Sequence, residues 1–378
     1  MVMDHDVPSV PVKTDTEPLP ERAYWVGFHH VPFVGPARLR RLLETFDSLK
    51  QAWYAPEQDL RRCLESRAVE GLVQTRRTLD LAAFMARIER SDTRFVTSAE
   101  AGYPALLREI AAPPPVLYYM GELLETDRAA VAIVGTRRIT AYGREVTAKI
   151  ASGLARAGVT VVSGLARGVD GVAHQAALDA GGRTIAVLGS GLNQIYPPEH
   201  RNLARRICEQ GAVVSDYLPD TPPDGPNFPP RNRIISGLSL GVVVVEAPER
   251  SGALITVDFA ADQGREIFAV PGPVTSANSS GCNRLIREGA RVVRSAEDVL
   301  EDLEINRFHE PAPVQRALPL SAEDERLLAV MGIIPRHIDE IAALCDAPVV
   351  EISTRLMLLE LQGVVRNTGS QFYARSTS

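Results

Sequence analysis

The chain has 378 residues, 45% of them hydrophobic and 23% charged, with a formal net charge of −6. These values exclude a single small domain, a disordered polymer and a strongly basic nonspecific nucleic-acid binder. No apolar run reaches the roughly eighteen residues of a membrane span, and the acidic, proline-rich start lacks a signal peptide's basic and apolar regions, so a cytoplasmic protein with no membrane partner is expected.

Residues 1–21 carry five acidic residues and four prolines, a composition that cannot offset ordering entropy and predicts a disordered tail. Residues 22–90 read as a small helical, SAM-like domain. In VGPARLRRLLETFDSLKQAW, Gly35 and Pro36 open a helix that places Leu39, Leu42, Leu43 and Phe46 on one face. The Gly-Pro entry also resembles a helix-hairpin-helix module; a packing or oligomerisation role is preferred, because Lys and Arg are not concentrated near the turn.

Residues 97–304 form the α/β part. Short β-branched runs at 131–134, 160–163, 184–188, 212–215, 242–246, 267–270 and 291–293 alternate with helical segments near 142–157, 170–180, 199–210, 251–263 and 282–289. That rhythm predicts a doubly wound parallel sheet with helices on both faces, and residues 97–126 are expected to add elements at its edge. Residues 305–318 read as a proline-containing linker, and residues 319–378 as a winged helix opened by a Ser321–Asp324 capping box, with a hairpin around 368–370. The would-be recognition helix, 349–361, has one arginine and two glutamates, which favours protein contact or internal packing over DNA reading.

Charge follows this division. Residues 130–295 hold 18 basic and 14 acidic side chains, a balance of +4, whereas the flanks hold 23 and 33, a balance of −10. The four cysteines, Cys63, Cys208, Cys282 and Cys345, lie far apart without metal-ligand spacing, so neither a metal nor a disulfide is expected.

The chemistry concentrates in the basic middle. FPPRNRIISGLS, 228–239, reads as a proline-stiffened basic turn: Arg231 and Arg233 offer forks of donors, Asn232 tolerates unusual backbone angles, and Phe228 offers a face for a base. Four strand-to-helix turns could receive an anion at the carboxyl edge of the sheet: GTRR (Gly135, Thr136, Arg137, Arg138), SGLARG (Ser163, Gly164, Arg167), the turn at Gly189, and SGALIT (Ser251, Gly252). Any one of them could simply be a tight turn. Four together, beside five arginines, point to a phosphate-binding groove. No GxGxxG or GxxxxGK[ST] pattern occurs, so no nucleotide cofactor is expected. His174 and His200 have no companion nucleophile, and Glu246 fits best as an acceptor of N–H groups or of an arginine.

The motifs AIVGTRRITAYG, VVSGLARGVDGVAHQAAL, VLGSGLNQIYPPEH, NFPPRNRIISGLS, SGALITVDFAADQGREIFAVPG and SGCNRLIREGA, in that order over about 160 residues, resemble the DprA/Smf family of DNA-processing proteins. The resemblance implies an extended Rossmann-like domain that binds single-stranded DNA without base specificity, protects incoming strands during natural transformation, and helps load RecA past single-strand-binding protein. It further implies a homodimer through that domain, with Arg137 on phosphate, the Ser163–Gly164 and Gly189 turns lining the pocket, and Phe228, Arg231, Asn232 and Arg233 holding adjacent nucleotides. Where some relatives carry lysine after the YP of the third motif, this chain has Pro198 and Glu199, so that contact is missing or supplied by Arg201 or Arg205. Two other readings stay open: a nucleotide or nucleoside-phosphate hydrolase on a related fold, and a duplex-binding regulator acting through the winged helix. The first lacks the expected PGGxGT turn; the second meets 7 basic against 14 acidic residues from 296 to 378.

Overall fold

The computed structural model describes residues 19–305, 321–331, 335–361, 364–369 and 371–375. The expected tail, save residues 19–21, and the expected linker, save residue 305, lie outside them. The described residues fall into two compact units, one on each side of the undescribed segment 306–320.

The first unit begins with six helices: α1 (Glu21–His29), α2 (Pro36–Thr45), α3 (Leu49–Tyr54), α4 (Glu57–Leu60), α5 (Ser66–Thr78) and α6 (Leu81–Glu89). Local signals set their ends. Pro36 occupies the first turn of α2, where its missing N–H costs nothing. Ser48 caps α3 through the N–H of Gln51 at 3.1 Å, and Asp80 caps α6 through the N–H of Ala83 at 2.9 Å. Leu39 and Leu42 of α2 are buried, but Leu43, expected on the same face, is 39% exposed.

A nine-stranded sheet follows, with intervening helices. Its elements in chain order are β1 (Arg94–Thr97), α7 (Ala105–Arg108), β2 (Val116–Gly121), β3 (Ala130–Val134), α8 (Ala141–Arg156), β4 (Thr160–Ser163), α9 (Val169–Asp179), β5 (Thr184–Val187), α10 (Arg201–Gln210) and β6 (Ala212–Ser215). Then come α11 (Phe228–Gly237), β7 (Gly241–Val244), α12 (Leu254–Asp262), β8 (Glu266–Ala269), α13 (Ser280–Arg287), β9 (Arg291–Val292) and α14 (Ala296–Asp302). The strand order is β1-β2-β6-β5-β4-β3-β7-β8-β9. From β6 to β9 all neighbours are parallel, while β2 runs antiparallel to both β6 and β1. The sheet is thus a doubly wound parallel one with an antiparallel edge, and the elements within 97–126 are the last residue of β1, the short helix α7 and the edge strand β2.

Alternation sorts the strand residues onto two cores. Ala130, Ala132 and Val134 face α11, α12 and α13, whereas Val131 and Ile133 face α8, α9 and α14. A third apolar cluster joins the N-terminal helices to the sheet, combining Tyr24 and Phe28 with Phe95, Tyr118, Ile207 and Val213. At that junction the Arg22 guanidinium donates to the carbonyl of Phe95 at 2.7 Å and lies 4.2 Å over its ring. His29 Nδ1 sits 3.3 Å from the buried Tyr118 hydroxyl.

The second unit contains α15 (Ala322–Val330), β10 (Arg336–His337), α16 (Ile338–Cys345), α17 (Val349–Leu361), β11 (Val365–Gly369) and β12 (Phe372–Arg375), with sheet order β10-β12-β11. This is the expected winged-helix pattern; residue 370 of the expected hairpin lies outside the described residues. The Ser321–Asp324 capping box is present in both directions. Arg355, the arginine of α17, is 24% exposed and pairs with Glu323, Asp324 and Glu351, so its charge is neutralised within the unit.

Burial of His29, reinforced by the nearby His30, lowers its pKa to about 4 from an ordinary 6.5. Below pH 6.5 the unfolded chain therefore takes up a proton that the folded one excludes, and stability is lost as pH falls through the window from 6.5 to 4. The full effect amounts to about 3 kcal/mol. Urea unfolding across that window should show a shallower pH dependence for His29→Asn than for the natural chain; parallel profiles would remove His29 as a source of acid sensitivity.

Candidate nucleic-acid interface

In a doubly wound sheet a crevice opens where the strand order reverses, outside the carboxyl ends of the two strands on either side. Here the reversal falls between β3 and β7. The chain leaving β3 forms the turn Gly135 to Arg138, and the chain leaving β7 runs through Glu246 to Ser251. Thr136 N–H donates to the Glu246 carbonyl at 2.7 Å. The buried Glu246 carboxylate accepts from Thr140 N–H at 2.9 Å and from its hydroxyl at 2.6 Å, while the same hydroxyl caps α8 through Gly143 N–H at 3.0 Å. Glu246 is therefore an anchor for the turn. A side chain at Gly143 would place Cβ 2.3 Å from its Oε2 and force the carboxylate off its bonds to Thr140.

The turn after β4 is held more elaborately. Asp170, 7% exposed in the first turn of α9, accepts from Gly164 N–H at 3.1 Å and Ala166 N–H at 3.2 Å. Arg231, 5% exposed, donates through Nη1 to the Gly164 carbonyl at 2.7 Å and also to the Val187 carbonyl at the end of β5. His200 Nδ1 sits 2.9 Å from the Leu165 carbonyl. Burial draws the Arg231 pKa down to about 10, still well above neutrality, so the guanidinium keeps its charge. Burial also pushes the Asp170 carboxyl up, opposed by Arg231 and by the two N–H donors.

Residues 228–237 are helical, which corrects the expectation of a stiff turn. Pro229 and Pro230 stand in the first turn, where no intrahelical N–H is needed, and Ile234 and Ile235 bury the following turn. Helical spacing then sends the arginines to different places. Arg231 points inward, and Arg233 pairs with Asp216 at 2.7 Å, their side chains 16% and 14% exposed. Arg231 still borders the crevice, whereas Arg233 does not. Phe228, half-buried, packs on Gly189, where a Cβ would come within 2.7 Å of its ring, and Tyr196 stands 5.7 Å away, centroid to centroid.

A cavity of about 710 Å³ fills the crevice. Of the expected site residues, Gly135, Thr136, Arg137, Phe228, Arg231, Asn232, Ser251 and Gly252 line it. The remainder do not. Ser163 is buried, its hydroxyl donating to the Ile133 carbonyl at 2.6 Å; Gly164 lies beneath Arg231, Gly189 beneath Phe228, and Arg233 on Asp216. Arg138 is exposed outside the lining, and Arg167 pairs with Glu199. Arg137 is exposed, makes no ion pair among the described residues, and places its guanidinium 5.8 Å from the Phe228 ring centre. Asp170, beside Arg231, is the one carboxylate among the described lining residues.

Two lining features were not singled out from sequence. Tyr196, 37% exposed, adds a second aromatic face, and its signal was a large aromatic within the polar segment NQIYPPEH. Asp170 is the second, four residues before His174 on α9. That histidine is fully buried against the Thr184 hydroxyl at 2.7 Å.

Arg231→Ala should lower the unfolding free energy by about 3–5 kcal/mol, because it strips Asp170 of its buried counter-charge. Arg137→Ala, at an exposed side chain, should stay within about 0.5 kcal/mol. Chemical denaturation of both variants checks this contrast; an Arg231→Ala protein as stable as the parent would show that the guanidinium is not what holds the loop.

The family model described as DNA recombination-mediator protein A matches residues 94–304, and the DprA winged helix domain matches residues 310–369. Protein Smf of Synechocystis is 35% identical over 94% of this chain and 99% of its own length. Protein Smf of Escherichia coli is 42% identical over 73% of this chain and 76% of its own. Among solved structures, DNA processing protein A from Streptococcus pneumoniae superposes with a TM-score of 0.67 at 35% identity, covering 74% of this chain and 97% of that one. DNA processing protein A from Helicobacter pylori, described for its single-stranded DNA binding mode, gives 0.51 at 29% identity, covering 56% and 97%.

Proposed function

The chain belongs to the DNA recombination-mediator protein A family, and from that premise we propose that it is a DNA-processing protein that binds single-stranded DNA in the crevice between β3 and β7. The observation that carries this reading is Arg137: an exposed guanidinium at a topological switch point, without an ion pair among the described residues, lying 5.8 Å over the Phe228 ring beside a cavity of about 710 Å³. A phosphate is neutralised by Arg137, a base stacks on Phe228 or Tyr196, and the Gly135 and Gly252 turns let the strand approach the backbone. None of these contacts reads a base edge, so the binding is sequence-tolerant.

In this reading the protein acts during natural transformation, protecting incoming strands and handing them to RecA recombinase in the presence of single-strand-binding protein, in the cytoplasm and as a homodimer through the Rossmann-like domain. Family membership supports each of these roles. A binder rather than a hydrolase is supported by the state of the acid–base candidates: Glu246 is taken up by Thr140, His174 is buried on Thr184, and His200 lies against the Leu165 carbonyl. The neutralised Arg355 of α17 likewise speaks against duplex reading by the winged helix.

Arg137→Ala should weaken oligonucleotide binding about tenfold or more and reduce the slope of log K against log salt by about 0.7, the contribution of one single-strand phosphate. Phe228→Ala should cost about 1–3 kcal/mol of binding as a lost stacking partner. Fluorescence titrations over a salt series, on single and double strands, measure both. Equal affinity for the two strand forms, or unchanged binding by Arg137→Ala, would overturn the crevice as the site.

A further inference from the structure

A second cavity, of about 790 Å³, lies between α10 and the antiparallel edge of the sheet. It adjoins the crevice in the chain: Tyr196 lines the first cavity, and its neighbour Ile195 lines the second. Arg201 and Arg205 stand one turn apart on α10, above the buried Ala204 and Ile207, and both line the second cavity, as does Arg94 of β1. All three are exposed, and none makes an ion pair or side-chain hydrogen bond among the described residues. Their neighbours differ: Arg206 pairs with Asp179 at 2.9 Å, Arg183 with Asp127 at 2.9 Å, and Arg167 with Glu199.

The cavity is polarised along α10. Arg201 and Arg205 occupy its first half, where the helix dipole is also positive. Glu209 lies in the last turn, Asp92 and Glu209 both bear on the Cys208 thiol, and Glu122 is tied to Gly211 at 2.9 Å. An anionic chain entering from Tyr196 therefore meets attraction first and repulsion at the far end.

Resting on the crevice reading, we propose that this cavity is a second strand-binding subsite, in which Arg201, Arg205 and Arg94 hold the phosphates of single-stranded DNA as it leaves the crevice past Tyr196. The acidic end limits the subsite to the first half of α10 and turns the strand outward. Glu199 neutralises Arg167, so the positive path beyond the crevice runs through α10.

The test uses the full chain, a labelled oligonucleotide of about five nucleotides that fills the crevice alone, and one of about twenty that reaches beyond it. The double variant Arg201→Ala/Arg205→Ala should bind the long strand about tenfold more weakly, with the salt slope reduced by about 1.4 for two lost phosphates, and bind the short strand as the parent does. Arg201→Lys/Arg205→Lys should restore most of the long-strand affinity, since a point charge suffices for a phosphate, whereas Arg206→Ala should leave both strands unaffected. Unchanged long-strand binding in the double alanine variant, or equal loss on both lengths, would overturn the subsite while leaving the crevice intact. A parent protein that binds neither length would overturn the crevice reading and the subsite with it.

Discussion

Gly164 is gripped from both sides, and the geometry of the crevice depends on that grip. Its N–H is taken by Asp170 and its carbonyl by Arg231, two charges that offset one another in the interior. Asp170 ties the start of α9 to this turn, and Arg231 ties the first turn of α11 both to the turn and to the end of β5. A buried charge without its partner is costly, so the three elements cannot drift apart without exposing or orphaning one of the two. The result is a rigid floor beneath Arg137 and Phe228, and a preorganised site keeps more of its contact energy as binding energy.

The arginines of this chain divide by partner rather than by sequence neighbourhood. Some are fastened to carboxylates: Arg183 to Asp127, Arg233 to Asp216, Arg355 to three acids in the winged helix. Others are exposed and make no ion pair among the described residues, among them Arg137 in the crevice and Arg201 and Arg205 on α10. Only the second group can trade its hydration for a phosphate without breaking a contact. That division explains how a chain of net charge −6 presents a positive path over part of its surface: most charge cancels locally, and a few guanidinium groups are left over where the glycine turns make room.

The N-terminal helices and the sheet are joined by one apolar cluster, with aromatic and histidine contacts at the seam. Amphipathic spacing in residues 22–90 indicated helices but not what covers their apolar face. Tyr24 and Phe28 find that cover partly on Phe95 of β1 and Tyr118 of β2; an extra element at β2 was legible, β1 before its last residue was not, and neither was the antiparallel pairing. Strand direction depends on which neighbour supplies the free edge, and periodicity within a strand carries no such information.

The sequence by itself determined the alternation of strands and helices, the doubly wound class, the glycine turns and their gathering at one carboxyl edge. These are consequences of periodicity and backbone permissiveness, which act over a few residues. Only the tertiary structure decided that 228–237 is a helix, that Arg231 lies inside and that Arg137 stays exposed in the crevice. Arg231 is held by carbonyls 67 and 44 residues away in the chain, and helical packing of Ile234 and Ile235 turns it toward them. Two arginines of identical chemistry were thus separated by partners that local sequence cannot display.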